Sequence, residues 1–161
     1  MKGSSDKAEA SSEVLATNRK AFHEYHILDR WEAGVELRGG EVKSARAREI
    51  SINESFASFD QGQLFLHAFH INPYACAVHT AHDPIRPKRL LMHRREIDRL
   101  AGLVAVKGHT LIPLRLYVKR GLIKVELALC KGKLAGDKRD TLRRKTADRE
   151  AQRDIAARMK R

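Results

Sequence analysis

The 161-residue chain carries 32 Lys or Arg against 20 Asp or Glu, a formal net charge of +12 with a sequence pI near 10.1. That length suits one domain with an appendage, and 42% hydrophobic with 32% charged residues fits a globular protein with a large solvated surface. No apolar run reaches the ~18 residues of a membrane-spanning helix, and the stretch before Asn18 lacks a signal peptide's apolar centre. The two cysteines, Cys76 and Cys130, lack CxxC spacing and suit reduced thiols, so a cytoplasmic protein is expected. A positive excess of this size points to nucleic acid, with no membrane partner expected.

In chain order, residues 1–17 read as a disordered lead-in. Residues 18–130 form the body. Tyr25, Ile27, Trp31, Ala33, Val35 and Leu37 share one parity, which predicts a long bent strand broken near Glu32-Ala33-Gly34. A short helix over residues 40–48 follows, with Val42 and Ala45 on its inner side. Residues 52–59 pair with a strand over 64–71 through the Asp60-Gln61-Gly62-Gln63 turn. A second helix spans residues 93–104, with Ile97, Leu100, Ala101 and Val104 at three- and four-residue steps. Ile112, Leu114, Leu116 and Val118 then alternate, Lys119-Arg120-Gly121-Leu122 turns, and Ile123, Val125, Leu127 and Leu129 alternate back. Antiparallel strands with two or three short helices predict a mainly β fold, a small closed barrel. Residues 131–161 hold twelve Lys or Arg against five Asp or Glu, with few large apolar side chains. This basic tail is expected to be disordered when free and helical when an anionic partner neutralises it.

Histidines recur at HxxH spacing: His23/His26, His67/His70 and His79/His82. On a strand, i and i+3 point to opposite faces, so the first two pairs are not expected to share an ion. Cys76, His79 and His82 supply three metal ligands without an evident fourth. No nucleophile elbow, metalloprotease, P-loop or dinucleotide motif is present, and no enzyme, cofactor or metal is expected. The basic clusters carry more. Arg86, Lys88 and Arg89, held extended by Pro84 and Pro87, can follow a phosphate track while Leu91 or His93 meets a base or ribose. Lys43 and Arg46, with Arg48, form a second patch after Gly39-Gly40, and Asn18-Arg19-Lys20 a third. Glu32 either points to water, orients a neighbouring cation or accepts from a base edge. Aromatic content of only 6% favours structured RNA over single strands, the rival reading, since single-strand binders use many stacking aromatics. A third reading, a histidine-dependent ribonuclease, needs His67 and His70 brought together.

Four motifs in register now resemble a known pattern. Glu32-Ala33-Gly34-Val35-Glu36-Leu37 with Glu41-Val42-Lys43-Ser44 and Arg46 is similar to the opening signature of the bacterial SsrA-binding protein (SmpB) family. His82-Asp83-Pro84-Ile85-Arg86 running into Lys88 to Ile97 resembles its central signature. Pro113-Leu114-Arg115-Leu116-Tyr117 and Lys131-Gly132-Lys133 with Asp137-Lys138-Arg139 resemble the last two. The resemblance implies an oligonucleotide-binding (OB)-type β-barrel that binds the tRNA-like domain of transfer-messenger RNA (tmRNA) in trans-translation, without catalysis. It implies that Glu32, Leu91 and His93 face that RNA. Lys131, Lys133, Asp137, Lys138 and Arg139 would begin a tail that enters the ribosome's empty message channel. Elongation factor Tu and alanyl-tRNA synthetase are further partners implied through the aminoacylated RNA, and DNA is not. The chain departs from the family pattern at Leu134-Ala135-Gly136, where a second Lys and a Tyr or His are common.

Overall fold

The computed structural model describes residues 12–76 and 83–159. The elements run β1 (Glu13–Thr17), α1 (Arg19–Glu24), β2 (Tyr25–Val35), α2 (Gly39–Arg46), β3 (Ile50–Ser51), β4 (Phe56–Asp60), β5 (Gln63–His67), β6 (His70–Ile71), β7 (Lys88–Leu91), α3 (Arg94–Val104), β8 (His109–Lys119), β9 (Leu122–Gly132) and α4 (Ala135–Met159). The fold is mainly β. The sheet closes on itself in the order β8-β4-β5-β7-β2-β9 and back to β8, with every neighbouring pair antiparallel. β3 and β6 form a separate two-stranded ladder.

Both expected hairpins form, for the reason their sequences suggest. Arg120 (φ 52°) with Gly121 (φ 76°), and Gln61 (φ 47°) with Gly62 (φ 74°), place two consecutive left-handed residues at the turns. That conformation matches the twist of the flanking strands. The expected strand over 64–71 is divided into β5 and β6 by Ala68, at φ 53°.

The single apolar parity expected along β2 and β8 covers two cores. Leu111, Leu116, Val125, Leu127 and Leu129 join the main cluster, whereas Ile112, Leu114, Ala128 and Cys130 form a second one. Adjacent residues on a strand face opposite sides, so these clusters lie on the two faces of the β8–β9 ribbon. Bulges between Ile27 and Asp29 and between Pro113 and Arg115 shift register by one residue and exchange the faces. Tyr25 and Ile27 therefore pack on the second cluster, and Trp31 and Ala33 on the first. The irregularity in β2 sits at Leu28, not near Glu32-Ala33-Gly34, which pair regularly with Glu126, Val125 and Lys124.

Helix α1, absent from the sequence reading, covers the second cluster with Ala21 and Phe22. Asn18 caps it: the side-chain oxygen accepts from the Ala21 amide at 3.0 Å, and Nδ2 donates to the carbonyls of Ile52 (3.2 Å) and Pro113 (3.1 Å). Two boundaries also move. Residues 13–17, expected in the lead-in, pair with β8 as β1 and bury Leu15, since Val14-Leu15-Ala16 supplies an apolar strip for an open sheet edge. Residues 1–11 lie outside the described residues. At the other end β9 runs to Gly132, so Lys131 belongs to the barrel and the helical appendage begins at Ala135.

Candidate nucleic-acid interface

Strand β7 carries the candidate contacts, and burial sorts its residues by parity. Lys88 and Leu90 point inward and are almost fully buried, while Arg89 and Leu91 are exposed. Lys88 Nζ donates to the carbonyls of Phe69 (2.8 Å) and Pro84 (3.2 Å) and lies over the Phe69 ring. Burial pulls its ammonium down to about 8. Arg86 forks onto Glu41 of α2, with Nε to Oε1 at 2.8 Å and Nη2 to Oε2 at 2.5 Å. Glu41 is fully buried and also accepts from the Arg38 amide at 2.7 Å. Burial opposes the Glu41 charge, but Arg86 and Arg38 outweigh it and hold the carboxyl below its usual range. Lys88 is therefore buried away from a surface phosphate track, while Arg86, partly exposed, has its guanidinium committed to Glu41. Lys88 anchors the strand from within and Arg86 anchors the loop before it, because a buried carboxylate and two inward carbonyls need donors. Arg89 does face solvent, paired with Glu36 at 2.9 Å.

Beside Leu91 opens a cleft of about 460 Å³, lined by Glu32, Gly34, Leu91, Met92, His93, Glu96 and Lys124. Topology brings the three RNA-facing candidates together here: Gly34 of β2 pairs with Leu91 of β7, and His93 caps α3 directly after that strand. A Cβ at Gly34 would meet the Leu91 Cβ at 3.4 Å, an ordinary contact, so the two strands lie side by side where the cleft starts. Leu91 is 47% exposed, unusual for a leucine on a central strand. Glu32 is partly exposed, and each of its oxygens already holds a donor. Its Oε2 accepts from Tyr117 Oη (2.5 Å) and Lys119 Nζ (3.0 Å), and Oε1 from Lys124 Nζ (2.8 Å). Partial burial works against its charge, yet bonds from Lys124, Tyr117 and Lys119 bring the carboxyl down to about 2. Because that value lies below the unfolded one, the stability it confers is complete above the ordinary carboxylate range. It is lost as pH falls towards 2. Glu32 thus organises cations: it fixes Lys124 in the cleft wall and also holds Lys119 and Tyr117.

The other clusters scatter around the barrel. Lys43 lies 5.2 Å from the Tyr74 ring centroid, and Arg46 reaches the Gly121 carbonyl at 3.1 Å, placing α2 beside the β8–β9 turn. Asn18 is sealed by its capping bonds and offers nothing to a ligand, while Lys20 is exposed and paired with Glu54 at 2.8 Å. In the tail, Lys131 is exposed on β9, Lys133 Nζ donates to the Phe22 carbonyl (3.3 Å) and Asp137 meets His26 (3.2 Å). Lys138 and Arg139 stand on the first turns of α4.

His23 sits on α1 and His26 on β2, His67 on β5 and His70 on β6. His67 stacks on Phe56 and lies 2.8 Å from Ser58 Oγ. His79 and His82 fall outside the described residues, and no group of metal ligands occurs among the described ones. Nor is any described helix long and apolar enough to cross a membrane. Sequence reasoning missed Lys119, Lys124 and Tyr117 as partners of Glu32. The signal available was their placement around the Arg120-Gly121 turn, which folds Tyr117 opposite Lys124.

The SmpB protein family model matches residues 15–157. An SsrA-binding protein from Corynebacterium glutamicum is 47% identical over 154 residues, covering 96% of this chain and 94% of the relative. One from Caldicellulosiruptor bescii is 50% identical over 147 residues (91% and 90%), and one from Bacillus subtilis 48% over 143 (89% and 92%). A solved chain described under "tmRNA-SmpB: a journey to the center of the bacterial ribosome" matches with a TM-score of 0.63 at 45% identity. It covers 74% of this chain and 85% of that one.

Proposed function

Because the chain belongs to the SmpB, or SsrA-binding protein, family, we propose that it binds the tRNA-like domain of tmRNA. It then delivers that RNA to stalled ribosomes in trans-translation. The observation that carries this reading is the convergence of Glu32, Leu91 and His93 on one cleft whose wall holds Lys124. Structured RNA offers phosphates, 2′-hydroxyls and unstacked loop bases, which suit fixed ammonium groups beside an exposed leucine and imidazole. Arg89 on β7 adds a cation on the strand beside it, and Lys43 and Arg46 on α2 offer a separate basic patch. The closed sheet serves as an OB-type barrel, a rigid platform for these contacts.

The tail acts separately. α4 spans 25 residues, about 37 Å at 1.5 Å per residue, and its described side chains are exposed or half-exposed. A helix without a packed face relies on propensity and i,i+4 pairs, so in free solution it is expected to be marginal. Ribosomal RNA neutralising its cations, Lys138 and Arg139 among them, would favour it, and an empty message channel would admit it. In this pathway the chain works in the cytoplasm as a binding protein and not as a catalyst. Elongation factor Tu and alanyl-tRNA synthetase are engaged through the aminoacylated RNA.

Leu91→Asp combined with His93→Ala tests the cleft, since both residues are exposed and their replacement leaves the core alone. Affinity for a labelled tRNA-like domain is expected to fall by about tenfold or more, the scale of one lost good contact plus a repelled phosphate. Unchanged affinity would place the RNA on another face of the barrel.

A further inference from the structure

α4 leaves the barrel through a short joint. Gly132 closes β9 opposite Tyr25, and the Lys133 amide donates to the Glu24 carbonyl at 2.9 Å. Lys133 Nζ reaches the Phe22 carbonyl of the same helix, α1, at 3.3 Å. In the first turn of α4, Asp137 turns back to the barrel, where His26 Nε2 donates to its Oδ2 at 3.2 Å. His26 stands on β2 directly opposite Lys131, so the bond fastens the base of the helix to the ribbon that carries it. Beyond Asp137 the described side chains of α4 are exposed or half-exposed. A carboxylate is a poor partner for phosphate, so among the tail's cations Asp137 suits an intramolecular bond better than an RNA contact.

The geometry points to His26 as a positioning residue: by holding Asp137, it sets the direction in which the tail helix leaves the barrel. Leverage gives the contact its effect. On a rod about 37 Å long, a tilt of about 10° at the base displaces the far end by roughly 6 Å, more than the radius of a helix with its side chains. The bond lies between half-exposed side chains, so it biases the direction and does not lock it. Such a bias suits a helix that has to find a narrow channel. The inference rests on the proposed seating of α4 in the message channel.

A double-mutant cycle in the full chain tests it, using His26→Ala, Asp137→Ala, both together, and the exchanged pair His26→Asp with Asp137→His. Each single substitution is expected to lower peptide tagging about two- to fivefold, the coupling of an exposed ion pair. The double variant should fall no further than the worse single one. The exchanged pair should recover most of the loss, and affinity for the tRNA-like domain should not change. Spin labels on the barrel and on the second turn of α4, next to the joint, should show a broadened distance distribution in the single variants that narrows in the exchanged pair. Losses that multiply, an exchanged pair without recovery, or unaltered distances would overturn the inference. A chain ending at Leu134, assayed in parallel, separates the two levels. If it loses tagging while the cycle multiplies, only the joint is wrong; if it still tags, the channel reading falls and the joint with it.

Discussion

A chain ending at Leu134 is expected to bind the tRNA-like domain of tmRNA and to support no detectable peptide tagging. The reason lies in how little of the body depends on α4. Both apolar clusters are built from residues before position 131, and β9 is complete at Gly132. Truncation at that point removes ten Lys or Arg and five Asp or Glu, leaving a formal net charge of +7. The remaining chain is still cationic, and its Glu32–Leu91–His93 cleft is untouched. Loss of non-specific attraction by the tail should weaken RNA binding by less than about tenfold at physiological salt. Parallel measurement of tagging in a reconstituted translation system and of RNA affinity by gel shift checks this. Loss of both together would show that tail and body act as one RNA-binding unit.

Arg86→Ala, in the loop that leads into the strand carrying Leu91, is expected to be strongly damaging and to act on folding first. Glu41 is fully buried, and Arg86 supplies two of its three hydrogen bonds. Stranding a buried carboxylate costs about 3–5 kcal/mol, or roughly 10 °C or more in Tm for a domain of this size. Adding Glu41→Gln should return part of that loss, because a neutral amide needs no counter-charge. Affinity for RNA, measured well below the lowered Tm, should change little. A near-wild-type Tm with weakened binding and a flatter salt dependence would restore Arg86 to a direct phosphate contact.

The contrast between Arg86 and Leu91 also shows what the amino-acid sequence could reveal. Period-two alternation and two-residue turns made both hairpins readable, because local chemistry fixes them. Spacing alone could not separate a solvated Arg or Lys from a buried one within Arg86-Pro87-Lys88-Arg89. The one local clue was that Lys88 shares parity with Leu90, and the buried Glu41 that explains Arg86 lies 45 positions away. Asn18 read as part of a basic cluster for a similar reason: its burial and its Nδ2 bonds depend on Ile52 and Pro113, which only the closed sheet brings near. The bulges in β2 and β8 left no obvious mark, so one parity stripe stood for two cores. The grouping of Glu32, Leu91 and His93 came from the family resemblance, and β2–β7 pairing supplies its physical basis. Glu32's part in fixing Lys119 and Lys124 needed the structure.

The most direct test of the central claim is to capture the full chain from a bacterial lysate at physiological salt and sequence the RNA retained with it. tmRNA should be enriched far above its share of total RNA, and the Leu91→Asp/His93→Ala variant should lose that enrichment. Recovery of ribosomal and transfer RNA in proportion to their abundance, with no excess of tmRNA, would contradict the account.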